Sequence, residues 1–497
     1  MDRKTSDSRG TKQIRQIGDV FEKSKGRQTN MAVLRLGNAD VTPAIVDGPS
    51  CVFTASPFLM TKKAWVPDSD VTICPLCHQK FTQIRRKHHC RQCGRILCGK
   101  CCENKLLLPQ LNYDHEPQKV CNECLPVSQL VAKSRSPQFS KKEEAAKLLN
   151  EMCKDINQLQ KLVELGGVQT LIFLSQSINN SIKENVAEAL HMMATHTVLH
   201  PLLVQSGAIK ALCSLLSDSE SFERILIDAL SAMMIFCKNE NYRKQVVVEG
   251  ALKPILTLCG MKETIALLAT TTLSLLVDNE DNLYTVVDKE KEALWKIMNL
   301  VNAKDEKMQE IALKILASLS LGTEWHRHRI VQEHYSNGKC LVNVFRTVPS
   351  NQQVLVNGIC LLGNLATSEK DQSVLRECLE CVCALMRKNE VNVDVQVQIS
   401  RCIANFSKHK VNTEPLLEYI PEIVRLHVQV EDATTRLYGV KTLFNLLNIE
   451  QGHVLSLLSK PQLDTLLHSL LNCSGMHDSL LTCLEKSAPP RSRPMTL

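Results

Sequence analysis

The sequence predicts a small two-zinc finger joined to an all-α solenoid of stacked helical repeats. Three observations predict it. Four C-x2-C pairs fall between Cys74 and Cys124. Helical periodicity with a repeat of about 40 residues runs from about residue 143 to about residue 486. Hydrophobic residues make up 44% of the chain but aromatics only 4%, so the core is one of Leu, Val, Ile, Ala and Met, which suits stacked helices better than a β-sandwich.

The elements follow in chain order. Residues 1–64 are polar and carry 11 Lys/Arg against 6 Asp/Glu; without sustained periodicity they read as a disordered basic region. Within them "KQIRQIGDVFEKSK" (12–25) is a candidate short helix. Residues 65–128 hold the cysteine cluster and a further basic excess, 9 against 6. Residues 129–142 read as a linker, 143–486 as helical repeats, and 487–497 as a disordered tail. Residues 129–497 carry 39 Lys/Arg against 40 Asp/Glu, a balance that argues against a nucleic-acid-binding array. No apolar run reaches the roughly 18 residues of a membrane-spanning helix. The first residues lack the apolar stretch of a secretory signal, so the expected location is cytoplasmic.

Nine of the 22 cysteines lie in the cluster. Two cysteines separated by two residues can point at one tetrahedral zinc, and two such pairs fill it. Cys74, Cys77, Cys90, Cys93, Cys98, Cys101, Cys121 and Cys124 therefore make two closed sites for two zinc ions. In a reducing compartment disulfides explain this spacing less well. Both sites are full without His88 or His89. Cys102 is a ninth cysteine beside Cys101, and the spacing leaves open which of the two is the ligand. The other 13 cysteines are scattered, mostly inside helical patterns, and read as small buried hydrophobes.

The residues around the thiols carry a resemblance. "WVPD" (65–68) precedes the first pair, "RKHHCR" (86–91) surrounds the third cysteine and "KVC" (119–121) holds the seventh. These resemble the WxxD, R(R/K)HHCR and RVC motifs of the FYVE zinc-finger family. That resemblance implies short strands, a C-terminal helix and cross-braced zincs, with Cys74, Cys77, Cys98 and Cys101 on the first and Cys90, Cys93, Cys121 and Cys124 on the second. It also implies a pocket for phosphatidylinositol 3-phosphate on early endosome membranes. Arg86, Lys87, His88, His89 and Arg91 would line it, Asp68 would accept from inositol hydroxyls, and Ile84 would enter the bilayer. Lys119 stands where the family has arginine, keeping the charge but losing the planar two-pronged grip.

The residue chemistry agrees with that implication. A phosphomonoester and a phosphodiester on one ring need several cations fixed at short range. Arginine offers a bidentate fork and lysine a point charge. A carboxylate welcomes hydroxyls and repels phosphates at other ring positions. Protonated imidazoles also favour phosphate, so the pair predicts lipid binding that weakens from about pH 6 to about pH 8.

In the helical part, "LGGVQTLIFLSQS", "SGAIKALCSLLSD" and "EGALKPILTLCGM" align on Gly166, Gly207 and Gly250. A second row aligns "GNLA", "ANFS" and "FNLL". The period and the glycine before an apolar helix resemble armadillo repeats, seven or eight units in all, with a generic helical solenoid as the alternative. The glycine row blurs through residues 260–345. The resemblance implies a groove in which Asn364, Asn405 and Asn445 hold an extended peptide. The alternative is that these amides cap turns or helix ends. Upstream, the equivalent places read Met192, Ala232, Leu275 and Ser318. The "WHRHR" run (325–329) lacks a matched ligand set for metal.

The resulting expectation is a non-enzymatic peripheral membrane adaptor. Its finger docks on phosphatidylinositol 3-phosphate, and its solenoid recruits a protein or peptide partner; no nucleic acid is expected. The alternatives are a RING-like ubiquitin ligase with the solenoid as substrate receptor, and a scaffold whose finger is only structural.

Overall fold

The computed structural model describes residues 33–54, 57–218, 222–388, 392–425 and 432–462. The candidate helix at 12–25, the tail at 487–497 and the last residues of the repeat region lie outside them. The chain divides into two compact units, Met1–Thr170 and Leu171–Leu497. No single described helix is long and apolar enough to cross a membrane.

The first unit corrects the expectation for residues 33–54 and 57–64, which form structure. Leu34–Leu36 pairs antiparallel with Ala39–Val41, and Val46–Asp47 pairs with Leu59–Met60. Gly37 turns the first hairpin at φ +62°. Leu36, Val41, Ala44, Val52, Phe58 and Met60 are buried. The segment is held by residues far along the chain. Ala44 N–H donates to Val163 O at 3.0 Å, and Gln160 Nε2 donates to Leu36 O at 2.8 Å. Met60 packs where Gly166 has no side chain: a Cβ there would lie 2.4 Å from Met60 Sδ.

The finger follows as two hairpins, Lys87–His89 with Ile96–Cys98 and Asn104–Leu108 with Tyr113–Val120. A helix then runs over Leu125–Ser134 and the next over Phe139–Cys153. The expected linker at 129–142 is therefore mostly helical. Val127, Leu130 and Val131 form a buried i, i+3, i+4 stripe that carries the first helix through it. The break spans residues 135–138, which contain Pro137.

In the second unit seven long helices recur among the described residues. They are Asn180–Ala194, Glu223–Lys238, Glu263–Val277, Glu306–Leu319, Gln352–Leu365, Val393–Phe406 and Ala433–Leu457. Each packs against the next, which makes the ladder of a solenoid. Asn179, Asp305, Asn351, Asn392 and Asp432 cap five of them, accepting backbone N–H bonds at the first turn.

The glycine row marks helix junctions. Gly207 and Gly250 sit at φ +96° and +92°, conformations that side-chain-bearing residues rarely adopt. Where the row blurs, a π-helical turn at Thr285–Lys289 stands in its place, and then Gly338 and Lys339 at φ +69° and +56°.

Candidate metal centres and basic face

Zinc–thiolate bonds of about 2.3 Å place tetrahedral sulfurs about 3.8 Å apart. The Sγ atoms of Cys74, Cys77, Cys98 and Cys101 lie within 4.8 Å of one another, as do those of Cys90, Cys93, Cys121 and Cys124. First and third pairs thus share one cluster, second and fourth the other, so the finger is cross-braced. Backbone amides serve the sulfurs: Cys98 N–H reaches Cys74 Sγ at 3.5 Å and Cys121 N–H reaches Cys90 Sγ at 3.3 Å. Burial raises the Cys74 thiol, but backbone N–H bonds from Cys98, Cys77 and Leu76 outweigh it and bring Cys74 down to about 6, towards the thiolate that zinc needs. Each set is a closed four-thiol shell, and the two sets fit two zinc ions. Cys101 rather than Cys102 joins the first cluster. Cys102 is fully buried, and its thiol touches Cys90.

The basic run lies on the Lys87–His89 strand, where alternate side chains face opposite ways. This splits the expected pocket residues into two groups. On one side Lys87 Nζ donates to Asp68 O at 2.5 Å, and His89 Nε2 lies 3.0 Å from Val66 O. His89 also stacks on Trp65 at 4.6 Å between ring centroids, and the Arg91 guanidinium covers the Trp65 ring at 4.3 Å. Val66 N–H bonds to Gly94 O. At Gly94 a Cβ would lie 2.3 Å from Ala64 O, so only glycine admits this approach. Together these contacts anchor the "WVPD" segment and hold Asp68 Oδ1 3.7 Å from His89 Nε2.

On the other side His88 meets Lys119, whose Nζ donates to His88 Nδ1 at 3.1 Å. Burial, Lys119 and Arg86, in that order, hold the His88 imidazole below its ordinary range. In this geometry His88 Nδ1 accepts from Lys119 instead of meeting phosphate as the charged imidazole expected from the sequence, which removes the basis for the expected pH dependence at this residue. Lys119 is positioned by its own backbone, whose carbonyl accepts from Arg91 N–H at 2.9 Å. Arg86 is exposed, and no ion-pair partner is found for it among the described residues. Ile84 is 97% exposed at the tip of the preceding loop. Trp65 was legible only as a motif letter; its stacking on His89 and Arg91 makes it part of the site's frame.

The asparagines of the solenoid are engaged within it. Asn364 Nδ2 donates to Ser320 Oγ at 2.8 Å, Asn405 Nδ2 to Gly363 O at 2.9 Å, and Asn445 Nδ2 to Ser407 Oγ at 2.9 Å. Each amide tethers its helix to the end of the preceding long helix. In the "WHRHR" run, His326 pairs with Asp288 at 3.1 Å and His328 with Asp371 at 2.9 Å. Neither histidine joins a metal-holding group; among the described residues only the two cysteine sets do.

Residues 64–129 match the family model for the FYVE zinc finger, and residues 287–422 match the Armadillo-like model. The lateral signaling target protein 2 homolog of Brugia malayi is 48% identical over 79 residues, 15% of this chain and 13% of that protein. Pleckstrin homology domain-containing family F member 2 of Homo sapiens is 46% identical over 61 residues, 12% of this chain and 24% of that protein. The match therefore spans less than a quarter of each relative's length. In fold, an engineered protein solved by a structural genomics consortium superposes with a TM-score of 0.50 at 17% identity, over 73% of this chain and 98% of its own. The chain carries a FYVE zinc finger at residues 64–129 followed by an armadillo-like helical domain.

Proposed function

We propose that this protein is a peripheral membrane adaptor without a catalytic step of its own. The finger docks on membranes containing phosphatidylinositol 3-phosphate, with early endosomes as the cellular address, and the solenoid recruits a protein partner. One observation carries the reading: Arg86, His88 and Lys119 crowd one side of a zinc-braced strand while Lys87 and His89 hold the Asp68 segment on the other. Two cations, Arg86 and Lys119, gathered about one imidazole cost stability unless an anion is to be met.

The roles divide accordingly. Arg86 and Lys119 take the phosphates, with His88 orienting Lys119. Asp68 takes the inositol hydroxyls, and Lys87, His89 and Arg91 hold its segment and the strand. Ile84 enters the bilayer, contributing about 0.8 kcal/mol per buried CH2, so residence on the membrane needs the headgroup contacts as well. The protein partner binds the solenoid; Asn364, Asn405 and Asn445 can offer it only what their bonds to the preceding helices leave.

The full-length protein, fluorescently tagged in cells, should mark early endosomes and disperse when phosphatidylinositol 3-kinase is inhibited. Endosomal puncta that persist under inhibition, or a diffuse signal at the outset, would contradict the reading.

A further inference from the structure

The turn from Cys90 to Arg95 and the turn from Cys121 to Cys124 carry the two cysteine pairs of the second thiol cluster. One side chain joins them. Arg95 Nε donates to Cys93 Sγ at 3.4 Å, and Nη2 of the same guanidinium donates to Glu123 Oε2 at 2.5 Å. Glu123 stands between Cys121 and Cys124, so the planar fork spans both pairs at once. The backbone fixes its place: Cys90 N–H donates to Arg95 O at 3.0 Å, and Gly94 N–H donates to Cys90 O at 2.9 Å.

Cys93 is where this cluster meets solvent. Cys90, Cys121 and Cys124 are buried, whereas Cys93 is half-buried. It lines a cavity of about 280 Å³ whose wall holds three cations, Lys63, Arg95 and Lys161, against two carboxylates, Glu123 and Glu164. Both carboxylates are committed, Glu123 to Arg95 and Glu164 to Lys161 at 3.1 Å. Four thiolates around one divalent zinc leave a net negative charge, which the excess of cations suits. The first cluster also has a half-buried sulfur, Cys77. Among the described residues, however, no arginine or lysine is found bonded to any of its four sulfurs.

We propose that Arg95 is a positioning residue of the second zinc site: it clamps Cys93 to the Cys121–Cys124 turn and covers the sulfur at which that site would otherwise open. A tetrathiolate site comes apart sulfur by sulfur, starting from a thiolate that an electrophile can reach. A charge-assisted N–H···S bond draws electron density off Cys93 and makes it a poorer nucleophile. The bond to Glu123 keeps the guanidinium from swinging away, as outer partners of metal ligands do. A lysine at this place could serve either acceptor but not both. The two sites are therefore unequal, and the one without such a cation opens sooner. This role is independent of what the finger docks on.

The test treats zinc-loaded full-length protein with N-ethylmaleimide. A zinc-binding dye follows the metal, and mass spectrometry reads the initial alkylation rate of each cysteine peptide. In the unaltered chain the Cys77 peptide should react before the Cys93 peptide. Arg95→Gln should speed both Cys93 alkylation and the loss of one zinc by about tenfold, the size usual when an outer partner of a metal ligand is removed. The initial Cys77 rate should stay unchanged. Glu123→Gln keeps the bond to sulfur but weakens the hold on the guanidinium, and should give a smaller acceleration at Cys93 alone. Arg95→Lys should fall between the unaltered chain and Arg95→Gln. Circular dichroism melting reports whether each variant is folded; should Arg95→Gln not fold, Glu123→Gln carries the same comparison. An unchanged Cys93 rate in these variants, an acceleration shared equally by Cys77 and Cys93, or Cys93 reacting first in the unaltered chain overturns the proposal.

Discussion

Lys119 Nζ sits 3.1 Å from His88 Nδ1, across the junction between the two finger hairpins. This pair decides how the finger's one departure from its family pattern acts. The ammonium is already committed to an imidazole, so it meets a phosphate as a single point charge aimed by His88. Lys119→Arg supplies a second prong. Affinity for phosphatidylinositol 3-phosphate vesicles should rise by about tenfold, from a gain of ~1–1.5 kcal/mol for one charge-assisted hydrogen bond. Lys119→Ala should lower it by at least as much. Vesicle sedimentation measures both; equal affinities for all three proteins would remove residue 119 from the pocket.

Zinc occupancy separates Cys101 from its neighbour. Cys101 completes the first thiol cluster, whereas Cys102 is buried against Cys90 of the second. The purified protein should hold two zinc ions and Cys102→Ser should keep both. Cys101→Ser should retain about one, since a structural site needs four ligands. Stripping the metal with a strong chelator should unfold the finger and abolish lipid binding. Metal analysis by mass spectrometry checks the counts, and a Cys102→Ser protein with one zinc would reverse the assignment.

The N-terminal hairpins should be structural. Gly166 occupies φ +89° with Met60 filling the place of its missing side chain. Gly166→Ala therefore meets backbone strain and overlap together, and should cost about 1–3 kcal/mol. Combining it with Met60→Ala should cost less than the sum of the two single losses, because the overlap is gone. Denaturant titration of the full chain reports this; strict additivity would mean the two residues do not press on each other.

How much of this was legible in the sequence follows from how local each feature is. The four C-x2-C pairs carry their own geometry, and Gly207 and Gly250 mark junctions that need a left-handed residue. The strands at 34–36 and 39–41 were not legible, because three-residue strands show almost no alternation and the residues that hold their hairpin in place lie more than a hundred residues on, as Gln160 does for Leu36. The division of the basic run into two sides needed Lys119, which reaches His88 from the other finger hairpin, and adjacency in "RKHHCR" cannot show that. The asparagine row was visible, but the helix ends that engage those amides come from the preceding repeat.

One buried histidine makes the solenoid acid-sensitive. His334 is 1% exposed between the Cys340 and Cys378 thiols, and burial, with a smaller push from Lys339, brings it down to about 4. The unfolded chain takes up that proton from about pH 6.5 downward, while the fold refuses it until about pH 4. Stability is thus fully present above pH 6.5 and lost as pH falls towards 4, by up to ~3 kcal/mol from the 1.36 kcal/mol per unit relation. His334→Gln should flatten this dependence. Denaturation midpoints at pH 7 and pH 5 measure it; an unchanged slope in the variant would assign the acid sensitivity elsewhere.

The account stands most directly on lipid selectivity. Full-length protein, zinc-loaded, is floated with vesicles that differ only in carrying phosphatidylinositol 3-phosphate, the 4-phosphate, the 5-phosphate or no phosphoinositide. The account predicts flotation with the 3-phosphate alone, lost in Arg86→Ala and reduced in Ile84→Asp. Equal flotation on all the phosphoinositides, or an Arg86→Ala protein that floats like the unaltered chain, would contradict it.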